Sequence, residues 1–266
     1  MSLDEKYKNL LAGIAARGSA AVAFSGGVDS SFLCYAAKAA LGHRALAITI
    51  VSPMLPKSEI AAAKEVARLV GIEHILIEEE DIDAKVAENP KDRCYHCKKI
   101  EFGRILRAAE ERGITAVLDG SNTDDLGDYR PGLLALEELR VASPLREAGM
   151  AKADIRELSR RFGLPTWDKP AFACLASRIP YGETITREKL SRVEKAEEAL
   201  AAYGFRQFRV RSHGGIARIE VAPEERRLLF SEEALDAISR AVKDCGFLYA
   251  AFELEGYRTG SLNKEI

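Results

Sequence analysis

The stretch "AAVAFSGGVDSSFL", from Ala20 to Leu33, places a glycine-rich turn between a short β-rich run and a helical pattern. Two adjacent glycines, Gly26 and Gly27, let the backbone approach an anion closely. The start of the following helix adds free N–H groups and the positive end of the helix dipole, which together favour phosphate. The stretch therefore predicts a phosphate-binding loop at the end of a strand in an α/β fold.

The polar side chains of this loop narrow its chemistry. Ser25 and Ser30 supply hydroxyl donors on either side of the glycines. Asp29 would repel a phosphate unless a cation lay beside it, so its presence implies bound magnesium or a helix-capping role. The Walker pattern GxxxxGK[ST] is absent, which weighs against ordinary kinases and GTPases.

The first half of the chain alternates short β-rich runs with longer helical patterns, which is typical of a parallel sheet covered by helices on both faces. Two of the helical patterns end at Gly71 and Gly113, as a left-handed C-terminal cap requires. The predicted strands are Ala20–Phe24, Arg44–Val51, Glu73–Glu79 and Ala116–Gly120, and the predicted helices are Ser30–Leu41, Pro56–Val70, Arg93–Arg112 and Lys152–Phe162.

The last third of the chain has a different organisation. A charged helix, Thr186–Tyr203, precedes the strands "FRQFRVRSH" and "IARIEV", the helical runs "PEERRLLF" and "SEEALDAISRAVKDCG", and the strand "FLYAAFEL". This order predicts a small α+β domain. We therefore expect a parallel-sheet α/β domain over residues 1–168, a connection over 169–185 that carries Cys174, and an α+β substrate or oligomerisation domain over 186–266.

Composition excludes several classes of protein. The 266 residues carry a formal net charge of −2, so no global basic field points to nucleic acid. No apolar run approaches the roughly 20 residues that cross a bilayer, and the N-terminus lacks the apolar core of a signal peptide. Five cysteines, an odd number, do not resemble a secreted disulfide framework. We therefore expect a cytoplasmic protein with neither membrane nor nucleic-acid partners. Cys34 and Cys245 lie in helical patterns and are expected to be structural.

The segment "RCYHCK", Arg93–Lys98, contains a single CxxC pair. Such a pair is compatible with half a zinc site, a redox pair, part of an iron–sulfur site or two unrelated thiols. Zinc accepts the ligand types of Cys94, His96 and Cys97, but no second CxxC or HxxxH completes a tetrahedral set. The residues alone leave these alternatives open.

Two segments resemble the ATP pyrophosphatases, which split ATP between its α- and β-phosphates and transfer AMP to a substrate oxygen. "SGGVDS" (Ser25–Ser30) is similar to their loop, and "DGSNTDD" (Asp119–Asp125) to their second segment. The resemblance implies an adenine nucleotide α-hydrolase-like fold that binds ATP through Ser25, Gly26, Gly27, Asp29, Ser30 and Asn122. It makes Asp124 and Asp125, with Asp29, candidates for handling magnesium or pyrophosphate; a solvated turn is the alternative for the first two.

Further segments in both halves resemble the LarE family of ATP-dependent sulfur transferases. The family implies adenylation of a carboxylate of pyridinium-3,5-biscarboxylic acid mononucleotide and its replacement by a thiocarboxylate, during biosynthesis of the nickel-pincer cofactor of lactate racemase. It also implies a homo-oligomer, with a hexamer as one option. The resemblance rests on "NPKDRCYHCK" (Asn89–Lys98), "GDYRPG" (Gly127–Gly132), "PAFACLASRIPYGE" (Pro170–Glu183), "FRVRSH" (Phe208–His213), "ARIEV" (Ala217–Val221) and "FELEGYRTGSLN" (Phe252–Asn263).

The same resemblance places the working cysteine at Cys174. Arg178 follows it by four residues, and a nearby guanidinium would favour the thiolate. Arg209 and Arg211 alternate along a predicted strand, so they point to one face and suit bidentate binding of the substrate's phosphate, with Arg178 as a third candidate. The alternative is a solvated strand face with ordinary arginines.

The number of cysteines distinguishes two forms of the family. In one form a single cysteine gives up its sulfur and becomes dehydroalanine, whereas members with three cysteines are thought to hold a 4Fe–4S cluster. Cys94, Cys97 and Cys174 match the second form, in which the iron without a protein ligand would bind sulfide or another sulfur donor. A cluster-dependent tRNA thiolase, an ammonia-using synthetase and a nucleotide-sensing module remain as alternatives.

Overall fold

The computed structural model describes residues 1–127, 131–170 and 173–258. The chain folds into two compact units, the first formed by Met1–Glu80 and Asp92–Phe172 and the second by Asp81–Lys91 and Ala173–Ile266. Within the described ranges, no helix combines the length and the apolar character needed to cross a membrane. Residues 128–130, 171–172 and 259–263 of the segments that resemble the LarE family lie outside the described residues.

The helices begin and end as follows. They are α1 (Leu3–Ala15), α2 (Val28–Leu41), α3 (Lys57–Val70), α4 (Ala84–Ala87), α5 (Arg93–Glu110), α6 (Pro131–Glu138), α7 (Pro144–Glu147), α8 (Lys152–Arg161), α9 (Arg187–Tyr203) and α10 (Glu232–Asp244), and short 3-10 helices span Gly42–Arg44, Thr123–Gly127, Leu175–Arg178 and Pro223–Leu229.

The first unit is built on a parallel sheet of four strands, β1 (Ala20–Ala23), β2 (Ala45–Val51), β3 (Glu73–Glu78) and β4 (Val117–Leu118). Their order is β3-β2-β1-β4, and all three pairings are parallel. The predicted α/β fold with a parallel sheet is thus confirmed. The two central strands are uncharged and largely buried, as a sheet covered on both faces requires.

Alternate residues of the central strands face two separate cores. Ala20 and Val22 pack into a cluster with side chains of α1, α2, α3 and α8. Ala21 packs into the other cluster, with side chains of α5 and α6. Helix α2 is buried on nearly all sides and carries Cys34 at 0% exposure. Burial raises the pKa of the Cys34 thiol, which agrees with its predicted structural role.

The second unit is built on a sheet of three strands, β5 (Phe208–His213), β6 (Ile216–Val221) and β7 (Tyr249–Phe252). Strands β5 and β6 are antiparallel, and Gly214 in the turn between them has φ +58°. Strands β6 and β7 are parallel, with α10 in the connection. This combination of strands and helices confirms the predicted α+β unit.

The segment Asp81–Lys91 leaves the first unit and joins the second. Its Asn89 is fully buried and has φ +56°. The Asn89 side-chain amide donates to the carbonyl oxygens of Ile179, Pro180 and Glu183 at 2.6–3.2 Å. This single side chain therefore holds the turn that follows the 3-10 helix Leu175–Arg178.

Candidate active site

The glycine-rich loop joins β1 to α2, with Gly27 as the N-cap of the helix. Gly26 has φ +74°, and a Cβ added there would lie 2.9 Å from the carbonyl oxygen of Glu59. Both the backbone conformation and the packing against α3 therefore require glycine. Gly27, the N-cap residue, has no side chain to cap the first amides of α2, so these N–H groups can donate to a phosphate.

Two hydroxyl groups brace this loop. The Oγ atoms of Ser25 and Ser30 lie 3.1 Å apart, and the Ser25 amide donates to the Ser30 Oγ at 3.3 Å. The predicted first helical residue was Ser30, whereas α2 begins two residues earlier, at Val28. Asp29 and Ser30 therefore lie in the first helical turn, which places their amides at the N-terminal end of the helix.

The segment Asp119–Asp125 lies against the loop. A Cβ added to Gly120 would lie 3.2 Å from the amide nitrogen of Ser30. The Asn122 side-chain amide lies 3.4 Å from Oδ1 of Asp29. The structure thus brings together the two segments that the sequence identifies, and Gly120 is a close-contact glycine that sequence analysis did not select.

Asp29 is ion-paired in the structure. Its Oδ2 lies 2.5 Å from Nζ of Lys152, the first residue of α8. Burial raises the pKa of Asp29, and the ammonium of Lys152 acts against that rise. The Lys152 amide in turn donates to Oδ2 of Asp124 at 2.9 Å, which fixes the start of α8 beside the loop.

The three predicted magnesium ligands differ in their other contacts. Asp124 accepts the amide of Lys152, and Asp125 accepts the amide of Asn122 at 2.9 Å, so both carboxylates hold backbone. In the part of the chain that the structure describes, no three His, Cys, Asp or Glu side chains are grouped to hold a metal ion. Magnesium beside a nucleotide commonly takes only one or two carboxylates plus phosphate oxygens, so Asp29 fits as such a ligand.

A second lysine reaches the loop from the segment after α8. Nζ of Lys169 lies 2.9 Å from Oε2 of Glu59 and donates to the carbonyl oxygen of Gly26 at 3.0 Å. The Arg156 guanidinium donates to the carbonyl oxygens of Trp167 and Lys169 at 2.6 and 2.8 Å, which fixes this segment on α8.

Sequence analysis missed both lysines, Lys152 and Lys169. Each lies more than 100 residues from the carboxylate that it contacts, so no local pattern links them. One signal was available in the loop. The loop carries an aspartate and no lysine, so any side-chain cation for a bound polyphosphate comes from another segment, although this does not indicate which one.

Cys174 lies in the second unit and is exposed. It is the N-cap residue of the 3-10 helix Leu175–Arg178, and its carbonyl oxygen accepts the amide of Ser177 at 3.0 Å and the Ser177 hydroxyl at 2.8 Å. The backbone at Cys174 is therefore fixed while its thiol faces solvent, as a reactive thiol requires.

Arg178 is fully buried and holds the backbone beside Cys174. Its Nε and Nη2 bind the two carboxylate oxygens of Glu197 at 2.8 and 2.9 Å. Its Nη1 donates to the carbonyl oxygens of Ala173 and Cys174 at 2.8 and 3.2 Å. These contacts give Arg178 a structural role. Its binding of substrate phosphate stays a prediction, and it would require Arg178 to give up one of these hydrogen bonds.

Arg209 and Arg211 are both buried, at 2% and 6% exposure, so the alternative of a solvated strand face is wrong. Arg211 binds both carboxylate oxygens of Glu220, at 3.1 and 3.0 Å. Arg209 lies over the ring of Tyr257 at 4.8 Å. Burial, and next the charge of Arg178, lower the pKa of Arg209 to about 10. Arg178 and Arg211 are thus each paired with a buried glutamate, and the predicted binding of substrate phosphate by Arg209 and Arg211 stays a prediction.

Cys94 and Cys97 lie on the first turns of α5, three residues apart and therefore near one face of the helix. Cys94 is exposed, and the half-exposed Cys97 donates to Oε1 of Glu101 at 3.3 Å. Nε2 of His96 lies 3.2 Å from Oδ2 of Asp92, within hydrogen-bonding distance. All five cysteines lie within the described residues, and none forms a disulfide.

Comparison with known proteins identifies the family. The asparagine synthase family model matches residues 14–161, more than half of the chain. Over 271 aligned positions the chain is 35% identical to the pyridinium-3,5-bisthiocarboxylic acid mononucleotide synthase of Lactiplantibacillus plantarum, with 100% of this chain and 96% of that protein covered. The chain belongs to the LarE family of ATP pyrophosphatases. This confirms the predicted resemblance, and LarE membership extends over both units.

Two other relatives differ in how much of this chain they match. An uncharacterized protein of Synechocystis is 42% identical over 265 residues and covers 99% of both chains. The tRNA-specific 2-thiouridylase of Xanthobacter autotrophicus is 31% identical over 193 residues, which cover 56% of this chain and 48% of that enzyme. The likeness to the thiouridylase is thus partial, whereas the likeness to the LarE protein spans the whole chain.

Proposed function

We propose that the protein uses ATP to adenylate a carboxylate of pyridinium-3,5-biscarboxylic acid mononucleotide and then replaces that carboxylate with a thiocarboxylate. The observation that carries the proposal is the loop Ser25–Ser30, whose uncapped helix amides form an anion cradle beside Asp29. The full-length likeness to a synthase of the bisthiocarboxylic product supports this substrate.

The first step follows from the chemistry of carboxylates. A carboxylate oxygen leaves poorly, so it first attacks the α-phosphorus of ATP, and the bond to the β-phosphate breaks with release of pyrophosphate. The negative charge on the leaving pyrophosphate would be stabilised by hydrogen bonds from the amides of Gly27 and Val28 and by the ammonium of Lys152. Magnesium, when bound at Asp29, would neutralise further charge on the leaving group.

The second step needs a sulfur nucleophile. The exposed thiolate of Cys174 would attack the acyl carbon of the adenylate, expelling AMP and leaving a thioester. In the single-use form of the reaction, loss of the α-proton of Cys174 and cleavage of its Cβ–S bond then release the thiocarboxylate and leave dehydroalanine.

Three cysteines support a reusable alternative to that last step. We propose that Cys94, Cys97 and Cys174 ligate a 4Fe–4S cluster, which, when bound, would supply an iron open to sulfide. The support from the structure is that Cys94 and Cys97 share the first turns of α5, where Cys94 is exposed and Cys97 is half-exposed, and that Cys174 is exposed. Under this proposal Cys174 remains intact. The predicted homo-oligomer and cytoplasmic location stay predictions.

A product assay tests the proposed function. With ATP, magnesium, sulfide and the pyridinium dicarboxylate mononucleotide, we expect AMP and pyrophosphate in equal amounts, together with a thiocarboxylate, since cleavage occurs between the α- and β-phosphates. Unmodified tRNA and ammonia serve as competing acceptors in parallel reactions. Product with tRNA alone would establish a thiolase, and bound ATP without any product would leave only a nucleotide-sensing module.

Iron analysis tests the cluster. Protein purified without oxygen is expected to contain about four iron and four acid-labile sulfide per chain. Cys97→Ser is expected to remove at least about half of that iron, because one of three thiolate ligands is lost. The matched control is Cys245→Ser, since Cys245 is also half-exposed but donates to the Ala241 carbonyl within α10. Full iron content in Cys97→Ser would exclude the three-thiolate assignment.

A further inference from the structure

The carbonyl group of Gly26 is held by a charged side chain from outside the loop. Lys169 donates to this oxygen at 3.0 Å while its ammonium also lies 2.9 Å from Glu59. Lys169 is largely buried, with 19% of its side chain exposed, and the Glu59 side chain is 8% exposed. A charge-assisted hydrogen bond in such surroundings has a strong effect on the orientation of the peptide that accepts it.

The orientation of that peptide decides where the next amide points. No peptide bond among the described residues is cis, so the N–H of Gly27 points away from the carbonyl of Gly26. Because Lys169 holds the carbonyl side, the Gly27 N–H is directed away from Lys169. Gly27 is the N-cap of α2, so this amide joins the uncapped amides of the helix start.

Glu59 constrains the same loop residue in two ways. Its backbone carbonyl lies so close that a Cβ on Gly26 would approach it to 2.9 Å. Its carboxylate, on the buried face of α3, holds the ammonium that binds the Gly26 carbonyl. The contact between α3 and the loop is therefore both steric and electrostatic.

We propose that Lys169, held by Glu59, is a positioning residue that orients the Gly26–Gly27 peptide so that its amide faces the phosphate cradle before ATP binds. The inference rests on the proposed use of ATP and adds how the cradle is preorganised. The competing interpretation is that the ion pair with Glu59 exists only before ATP binds, and that the Lys169 ammonium then leaves Glu59 and contacts the phosphate directly. The two interpretations predict opposite effects of the same substitution.

Glu59→Gln separates them through the binding of inorganic pyrophosphate to the nucleotide-free protein, measured by titration calorimetry. If Lys169 is a positioning residue, its weaker attachment disorders the cradle, and the dissociation constant rises by about tenfold. If the Lys169 ammonium instead leaves Glu59 to contact the phosphate, its release tightens binding. Removal of a negative charge near an anion site would also tighten binding, so weaker binding cannot arise from charge alone.

Hydrogen exchange provides a second measurement without any ligand. In Lys169→Met, the amides of Ser25–Ser31 are expected to exchange about fivefold faster than in the wild type, since the loop loses its fixed carbonyl. Lys6→Met is the matched control, because Lys6 forms a similarly buried ion pair with Asp154 that does not involve the loop. Unchanged exchange in Lys169→Met would overturn the proposal. Neither measurement requires sulfur transfer, so the proposed function can fail independently.

Discussion

Cys174→Ser is expected to abolish thiocarboxylate formation while ATP is still cleaved to pyrophosphate and the acyl adenylate. The Cys174 thiol is exposed and its backbone is held by Ser177 and Arg178, so the substitution leaves the local fold intact. A serine hydroxyl is a poor nucleophile and carries no sulfur, so thiocarboxylate yield should fall at least about 10³-fold. Mass spectrometry of the pyridinium product and an assay of released pyrophosphate measure the two steps separately.

Two controls complete the experiment on Cys174. Cys245→Ser removes a thiol that donates within α10, and it is expected to leave both steps unchanged. The mass of the wild-type chain after turnover then shows whether Cys174 has been consumed, because the single-use reaction removes one sulfur and the cluster reaction removes none. Wild-type thiocarboxylate yield in Cys174→Ser would contradict any role for this cysteine in sulfur transfer.

Gly26→Ala is expected to lower kcat/KM for ATP by about 10²-fold, because the loop must move to accommodate the new methyl group. The Cβ would lie 2.9 Å from the Glu59 carbonyl oxygen and 3.2 Å from the Cβ of Ala63, and the residue has φ +74°. The strained backbone and the clash together should also reduce the free energy of unfolding by about 2 kcal/mol. Steady-state kinetics and urea denaturation measure these two effects.

Gly18→Ala separates the effect of a positive φ on stability from the effect of a steric clash. Gly18 also has φ +74°, but a Cβ there meets nothing within 4 Å. This control should therefore lose about 1 kcal/mol of stability and keep its kcat/KM for ATP. If the two alanine variants were equally active, close packing of Gly26 against α3 would not be what shapes the phosphate loop.

The sequence predicted the elements whose signals are local. The Gly26–Gly27 turn, the apolar strands and the glycine ends of helices each depend on neighbouring residues, and Gly71 indeed ends α3 with φ +69°. Helix α1 was not predicted although its signal is local as well, since Ser2 and Glu5 form a capping box at its start. The α/β class followed from the alternation of these signals along the chain.

The contacts that complete the candidate site were not predictable in the same way. The pairing of Lys152 with Asp29 joins residues 123 positions apart, and that of Lys169 with Glu59 joins residues 110 apart. A single sequence records no signal for such pairs, because either partner alone reads as an ordinary surface charge. Arg178 illustrates the same difficulty, since only its burial against Glu197 distinguishes a structural arginine from a phosphate ligand.

The assignment of Asp81–Lys91 to the second unit determines where this protein can be cut into fragments or joined to a relative. The chain passes between its two units at residues 80–81, 91–92 and 172–173, so the second unit is not one continuous stretch of the gene. A C-terminal fragment cut at 172 would lack Asn89, and three carbonyl groups of the 179–183 turn would lose their donor. Chimeras between relatives should therefore take Asp81–Lys91 and the C-terminal portion from the same parent.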